Sequence, residues 1–141
     1  MPSNQSETMD SVRFAESVDP DSSVTLSYEL PQDATIEEVT VRIYRGAELD
    51  LHVTPWHNPA GGRDVQEPLI TFEGKEYIDG DGDHWEFPLS EAVAEGDTIG
   101  VTIDNVSSGA DGYTLDAAAN FVVDRAGGQQ RGILSFLRRW L

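Results

Sequence analysis

The stretch Gly112–Asp124, GYTLDAAANFVVD, places an apolar side chain at every second position. Successive side chains of a β-strand point to opposite faces of a sheet, so this period puts one set of residues against a core. The stretch therefore predicts a long strand buried on one face. The apolar set is Tyr113, Leu115, Ala117, Ala119, Phe121 and Val123.

The same alternation recurs in shorter runs, with turn-forming residues between them. Glu73-Gly74 lies between two of these runs and predicts a tight hairpin. Eight short strands with one apolar face predict an all-β protein, an antiparallel β-sandwich. The seven further runs are residues 24–30, 39–44, 49–53, 69–72, 75–78, 84–89 and 98–104.

The segments outside these runs set the expected domain boundaries. Residues 1–20 are polar and acid-leaning, which predicts an N-terminal arm or a peripheral first strand. We expect the sandwich domain to span residues 21–126 and a flexible linker to occupy residues 127–130, GGQQ. Within the domain, the prolines and glycines of residues 55–68 predict a long loop, and residues 90–95 a short helical turn.

The segment Val93–Asn105, VAEGDTIGVTIDN, resembles a turn-plus-strand segment of jelly-roll modules. In those modules a Gly-Asp turn begins a central strand. The resemblance covers about a tenth of the chain, and it implies that the sandwich is jelly-roll-like.

The charge of the chain limits where it can fold. Its 26 acids face nine bases, Lys75 is the only lysine, and the formal charge is −17. Such self-repulsion opposes a compact state in dilute buffer, and molar salt screens most of it. This composition resembles that of proteins from extremely halophilic archaea and their viruses. The alternatives are an acidic mesophilic domain or a disordered acidic chain, and disorder is disfavoured because 38% hydrophobic content and regular alternation support a core.

Several compartments and cofactors are disfavoured by the composition. The chain has no cysteine, so it forms neither disulfides nor thiolate metal sites. Its N-terminus, MPSNQSETMD, lacks the basic and apolar regions of a secretory signal. Its C-terminal apolar stretch is too short to cross a bilayer, which needs roughly 20 apolar residues. We therefore expect a soluble, unsecreted product.

The last eleven residues, RGILSFLRRWL, differ from the rest of the chain. They contain three arginines and no acid, so residues 1–130 carry −20. On a helix their apolar residues form one continuous stripe at the 3.6-residue period. Residues 131–141 are therefore predicted to be a short amphipathic helix that docks on a protein partner. The docking residues are Ile133, Leu134, Phe136, Leu137, Arg138, Arg139, Trp140 and Leu141.

Asp79, Asp81 and Asp83 resemble the opening of a calcium loop, where oxygen ligands alternate along the chain. The rest of the calcium pattern is missing, because His84 replaces the required glycine and Ser90 the final glutamate. The turn is therefore interpreted either as a site for a structural calcium ion or as a plain acidic surface turn. No other cofactor is expected.

The remaining polar and aromatic residues give few signs of catalysis. His52 and His57 with a nearby carboxylate are candidates for an open transition-metal site, or simply for polar surface. The sequence has no nucleophile elbow and no phosphate-binding loop, so we expect no enzyme. Trp56 lies between prolines and is predicted to be an exposed aromatic that stacks on sugars, whereas Trp85 is predicted to face the core.

These features favour a non-enzymatic structural or assembly protein. Size, composition and layout resemble small virion proteins of halophilic archaeal viruses, such as capsid decoration, turret or tail-associated jelly rolls. The resemblance implies a homo-oligomer in a virion, attached to a capsid or other assembly subunit through residues 131–141. The alternative is a carbohydrate- or cation-binding sandwich module. A third hypothesis places the C-terminal segment on a membrane surface. Nucleic acid is disfavoured, since −20 repels phosphate.

Overall fold

In the computed structural model, which describes residues 8–60, 65–108 and 112–125, eight β-strands form two four-stranded antiparallel sheets. The first sheet has the order β1-β8-β3-β6 and the second β2-β7-β4-β5. This exchange of successive strands between two sheets is a jelly roll, and it confirms the predicted antiparallel sandwich. The strands are β1 Met9–Val18, β2 Ser22–Glu29, β3 Ala34–Ile43, β4 Leu51–Asn58, β5 Glu67–Pro68, β6 Asp83–Val93, β7 Thr98–Asn105 and β8 Leu115–Asp124.

Strand β8 lies inside the first sheet, between β1 and β3, as its length and alternation indicate. Its predicted apolar face is buried from Leu115 to Val123, and Phe121 is fully inaccessible to solvent. The prediction is wrong only for Tyr113, which precedes the strand and is 54% exposed. The core between the sheets is completed from the second sheet by Ile99, Val101 and Ile103 of β7.

Of the two alternatives for residues 1–20, the structure shows the peripheral first strand, because residues 9–18 form β1 at the edge of the first sheet. All ten residues pair with β8, from Met9 opposite Asp124 to Val18 opposite Leu115. Only Phe14 and Val18 of this strand are buried, so its polar composition follows from its edge position. The sandwich therefore begins at Met9 and not at residue 21.

The predicted loop at residues 55–68 is also wrong in its first part, because β4 continues through Pro55 to Asn58. Proline removes a hydrogen-bond donor and normally avoids central strands. Here the carbonyl of Pro55 accepts from Leu69 N–H at 3.0 Å, on the side of β4 that faces the two-residue β5 and Ile78 and not β7. The missing N–H of Pro55 therefore removes no hydrogen bond from the pairing of β4 with β7.

The predicted helical turn at residues 90–95 is wrong, since β6 runs to Val93 and pairs with β3 up to Ala34. The turn that follows agrees with the jelly-roll segment identified in the sequence. Gly96 has a φ of 89°, which favours glycine, and Asp97 precedes β7, an inner strand of the second sheet.

Two local predictions are confirmed. Phe72 and Lys75 exchange both backbone hydrogen bonds, and Glu73 and Gly74 between them have positive φ, as in a tight hairpin turn. Trp85 packs against the core, edge-on to Phe72 with ring centroids 5.0 Å apart.

No helix among the described residues is long and apolar enough to span a membrane. The predicted linker 127–130 and docking segment 131–141 lie outside the described residues.

Candidate functional site

Each of the three aspartates proposed as calcium ligands already has a hydrogen-bond partner. Asp79 accepts from Lys75 Nζ at 2.9 Å, and this hydrogen bond raises the pKa of Lys75 above 10.5. Asp81 Oδ1 accepts from the backbone N–H of Gly46 at 2.7 Å, and Asp83 Oδ2 accepts from the N–H of Asp81 at 2.8 Å. Nowhere in residues 8–60, 65–108 and 112–125 do three or more acidic or histidine side chains gather to hold a metal. The three aspartates are thus each engaged within the 79–83 turn or with Gly46 and Lys75 beside it.

The predicted metal site at His52 and His57 is wrong. The two histidines are five residues apart on β4, so they lie on opposite faces of the sheet. His52 pairs with Asp104 on the outer face and stacks on Tyr77, with ring centroids 3.9 Å apart. His57 pairs with Ile99, which belongs to the core.

The prediction of Trp56 as an exposed, sugar-stacking aromatic is wrong. The side chain is only 3% exposed, and its Nε1–H donates to Thr102 Oγ1 at 3.1 Å. The indole lies over Gly100, where an added Cβ would approach Trp56 Cζ2 to 2.5 Å and would also clash with the carbonyl of Leu26. Glycine in the middle of β7 thus gives the ring its place, so the indole is a packing element with no free face for a sugar.

Asp97 is the centre of a buried polar cluster at one end of the sandwich. Its Oδ1 accepts from Ala60 N–H at 2.8 Å, and its Oδ2 accepts from Ala94 N–H at 2.9 Å. His57 Nε2 lies 2.7 Å from the same Oδ2. Burial raises the pKa of Asp97, but the hydrogen bonds from Ala60, Ala94 and His57 outweigh it and hold this pKa below 3.8.

The hydrogen bonds of this cluster determine which ring nitrogen of His57 carries a proton. An ionised carboxylate only accepts hydrogen bonds, so Nε2 donates to Asp97. Nδ1 is buried without a hydrogen-bond partner, and Glu91 Oε2 lies 4.0 Å from it. The side-chain hydrogen bonds of Asp97 join β4, the segment after it and the β6–β7 turn. The cluster therefore holds elements together, and we assign it no chemistry.

The sequence did not predict Asp97 as a site residue, although Asp97 lies in the Gly-Asp turn of the segment that resembles jelly-roll modules. Acids are so frequent in this chain that one more aspartate carries no signal. What distinguishes Asp97 is that it is 6% exposed, and that fraction depends on contacts between distant segments.

An open cleft lies where the two sheets meet at β1 and β2. Both strands are at the ends of their sheets, and they are joined through residues 19–21. At their other ends they enclose a cleft of about 430 Å³, which we call the seam. Its apolar lining includes Val12, Tyr28, Leu30 and Val123, and Arg125 lies at its rim. The predicted docking residues themselves, from Ile133 to Leu141, lie outside the described residues.

The sequence matches no protein-family model and no curated protein sequence. Solved structures with a similar arrangement of the chain include a periplasmic inhibitor of g-type lysozyme, PliG from Aeromonas hydrophila. Its sequence identity is 12%, and the similarity covers 84% of this chain and 90% of that chain with a TM-score of 0.45.

Two other similar structures come from virus particles. The VP2 subviral particle of infectious bursal disease virus has 10% identity, covering 84% of this chain and 33% of that chain, with a TM-score of 0.46. The capsid asymmetric unit of cyanophage Pam1 has 18% identity, covering 82% of this chain and 81% of that chain, with a TM-score of 0.41. Similarities at this level carry no argument about function.

Proposed function

We propose that the chain is a non-enzymatic assembly protein, a jelly-roll head that binds a protein partner through residues 131–141. The observation that carries this proposal is the end of β8. The eight strands that the described residues form all end by Asp124, and the two four-stranded sheets are built without residues 131–141. Six large apolar residues at a helical period then remain, and a partner surface is where they can be buried.

The polar groups of the head also favour a structural role. The buried pair of His57 and Asp97 and the aspartates of the 79–83 turn are engaged in contacts that join segments of the fold. A general base or a nucleophile needs a free position within hydrogen-bond reach of a substrate. Asp97 accepts three hydrogen bonds and is only 6% exposed, and His57 is equally buried, so neither side chain is open to a substrate.

Within this proposal we assign the protein to the virion of a halophilic system. The support is the charge of −17 with a single lysine, together with the layout of a small head and a basic docking segment. The partner is then a capsid or other assembly subunit, and copies of the chain itself are included. Sugar binding through Trp56 is not retained, because the ring is buried.

Deletion of residues 129–141 tests this function in molar potassium chloride. We expect the truncated head to keep the thermal unfolding midpoint of the full chain, because its core lies within residues 14–123. We also expect light scattering to show that the truncated head has lost the self-association of the full chain. If the head unfolds or aggregates after the deletion, residues 129–141 belong to its core and the docking function fails.

A further inference from the structure

The seam exposes side chains that elsewhere in the fold would be covered. Tyr28 pairs with Ile99 of β7, and the two residues of an antiparallel pair share a face of their sheet. Ile99 is fully buried, whereas Tyr28 is 41% exposed. The difference arises because β2 is an edge strand, and no further strand among the described residues lies beyond it.

The floor of the seam is apolar and firmly held. Leu30 and Val123 are each only 3% exposed and close the cleft from the two sheets. Leu30 is fixed by two backbone hydrogen bonds, one from its N–H to the carbonyl of Asp97 and one from Gly96 N–H to its own carbonyl. The seam is therefore a groove with an apolar floor and a mixed lining that includes Asp10, Arg13 and Gln32. An amphipathic segment suits such a groove, because it has both an apolar and a polar face.

The chain leaves the described part of the molecule at this groove. Arg125 lines the seam, and its Nε lies 3.0 Å from Asp10 Oδ2 of β1. Five residues, 126–130, then precede the amphipathic segment, and a fully extended chain of that length spans at most about 17 Å. Residues 131–141 can therefore reach the seam of a neighbouring copy that lies within about 17 Å of Arg125.

We propose that the seam is the docking site for residues 131–141 of a second copy of this chain. Two copies related by a two-fold axis beside their seams exchange these segments reciprocally, in a closed, isologous contact. Docking on the chain's own seam requires residues 126–130 to reverse the chain direction immediately after Arg125, which itself lines the seam. This inference rests on the proposed function, and it names the partner and the receiving surface.

Charge favours the same occupant. Copies of this chain repel one another, because each carries a net charge of −17. The C-terminal segment, in contrast, contains no acid and carries Arg131, Arg138 and Arg139. Of the charged side chains that line the seam, Arg13 is basic and Asp10 is already paired with Arg125. The arginines of a second copy would instead meet Glu29 and Asp33, which are neighbours in sequence of lining residues, and the overall charge of −20 on residues 1–130. Part of the repulsion between copies would then be removed.

The absence of cysteine from the chain makes a direct test possible. Two full-length single-cysteine variants, Tyr28→Cys and Leu137→Cys, are mixed in molar potassium chloride and oxidised. We expect a mixed disulfide between the two variants, identified by mass spectrometry. Its yield should be several-fold higher than with Ser27→Cys, which lies on the opposite face of the same strand. Gln32→Cys, at another point of the seam lining, replaces Tyr28→Cys if that variant fails to fold.

The double variant Tyr28→Cys/Leu137→Cys identifies the chain that supplies the segment. The proposal requires disulfide-linked dimers, whereas an internal disulfide in a monomer overturns it in favour of docking on the chain's own seam. Equal yields for Tyr28→Cys and Ser27→Cys also overturn it. The deletion of residues 129–141 then tests the proposed function separately. If the segment docks on a surface other than the seam, the deletion still abolishes self-association.

Discussion

Asp97 connects three segments of the chain through one carboxylate. Its oxygens accept hydrogen bonds from Ala60, Ala94 and His57, and its own N–H donates to the carbonyl of Ala94. Leu30 of the seam floor donates to the backbone carbonyl of Asp97. A single residue thus couples the end of β4 and the β6–β7 turn through its side chain, and the groove that we propose as a docking site through its backbone carbonyl.

Replacement of Asp97 with asparagine is expected to lower the free energy of unfolding by about 1–3 kcal/mol, because one buried N–H loses its acceptor. An amide offers one acceptor oxygen where the carboxylate offers two, so its NH₂ group must face Ala60 N–H or Ala94 N–H. Urea denaturation in molar salt measures the change. Glu95→Gln, an exposed acid in the same turn, is the matched control and should stay within about 0.5 kcal/mol.

Asp97 should also contribute to the pH dependence of stability. The pKa of Asp97 in the folded state is lower than 3.8, so the unfolded state takes up the proton first as the pH falls. The contribution is present above pH 3.8 and is lost as the pH falls from there through the folded value. Asp97→Asn lacks this contribution, so the difference in unfolding free energy between the wild type and Asp97→Asn should narrow as the pH falls through that range. A difference that stays constant with pH would contradict the role assigned to Asp97.

Strand β1 is the element whose role the sequence predicted least well. Its residues are mostly polar, and only Phe14 and Val18 are buried. Phe14 meets the ring of Phe121 edge-on, with centroids 5.6 Å apart. The strand is therefore attached through its backbone pairing with β8 and through very few side chains.

Replacement of Phe14 with alanine is expected to cost about 3–5 kcal/mol of unfolding free energy, because a buried aromatic ring is removed next to Phe121. The control is Ala15→Ser, which is exposed and should change stability by less than about 0.5 kcal/mol. Chemical denaturation compares the two. If both variants match the wild type, β1 is a detached arm, as its composition first indicated.

The strands that the sequence predicted correctly are those with one clearly buried face. In β8 and β7 every second side chain is apolar and lies in the core, so periodicity and burial agree. The alternation in β6 was equally clear for residues 84–89, but the strand extends to Val93 because it pairs with β3. A sequence pattern contains no information about such pairing between distant segments.

The candidate sites were predicted less well than the fold, for the same physical reason. Whether Trp56 is exposed depends on Gly100 and Thr102, which are more than forty residues away in the chain. The seam exists only because β1 and β2 are both edge strands. The alternation of the strand correctly predicted that Tyr28 lies on the inner face of its sheet. It could not show that β2 is the edge strand, where the inner face is only partly covered.

For the whole molecule, the dominant physical quantity is the charge of −17. The screening length is about 10 Å at 0.1 M salt and about 3 Å at 1 M, so most of the repulsion within the head disappears only in molar salt. Circular dichroism across a potassium chloride series should show loosening or unfolding as the salt falls below the molar range. Equal stability in dilute buffer would contradict the assignment to a halophilic system.

The most direct test of the account concerns the joining of heads through the C-terminal segment. The molar mass of the full chain is measured by light scattering in molar potassium chloride beside that of Leu137→Ser/Trp140→Ser. A Ser135→Ala variant, changed on the polar side of the segment, is the control. We predict that the wild type and the control form a complex larger than one chain, and that the double variant has the mass of a single folded chain of 15.5 kDa. Equal masses for all three proteins would contradict the account.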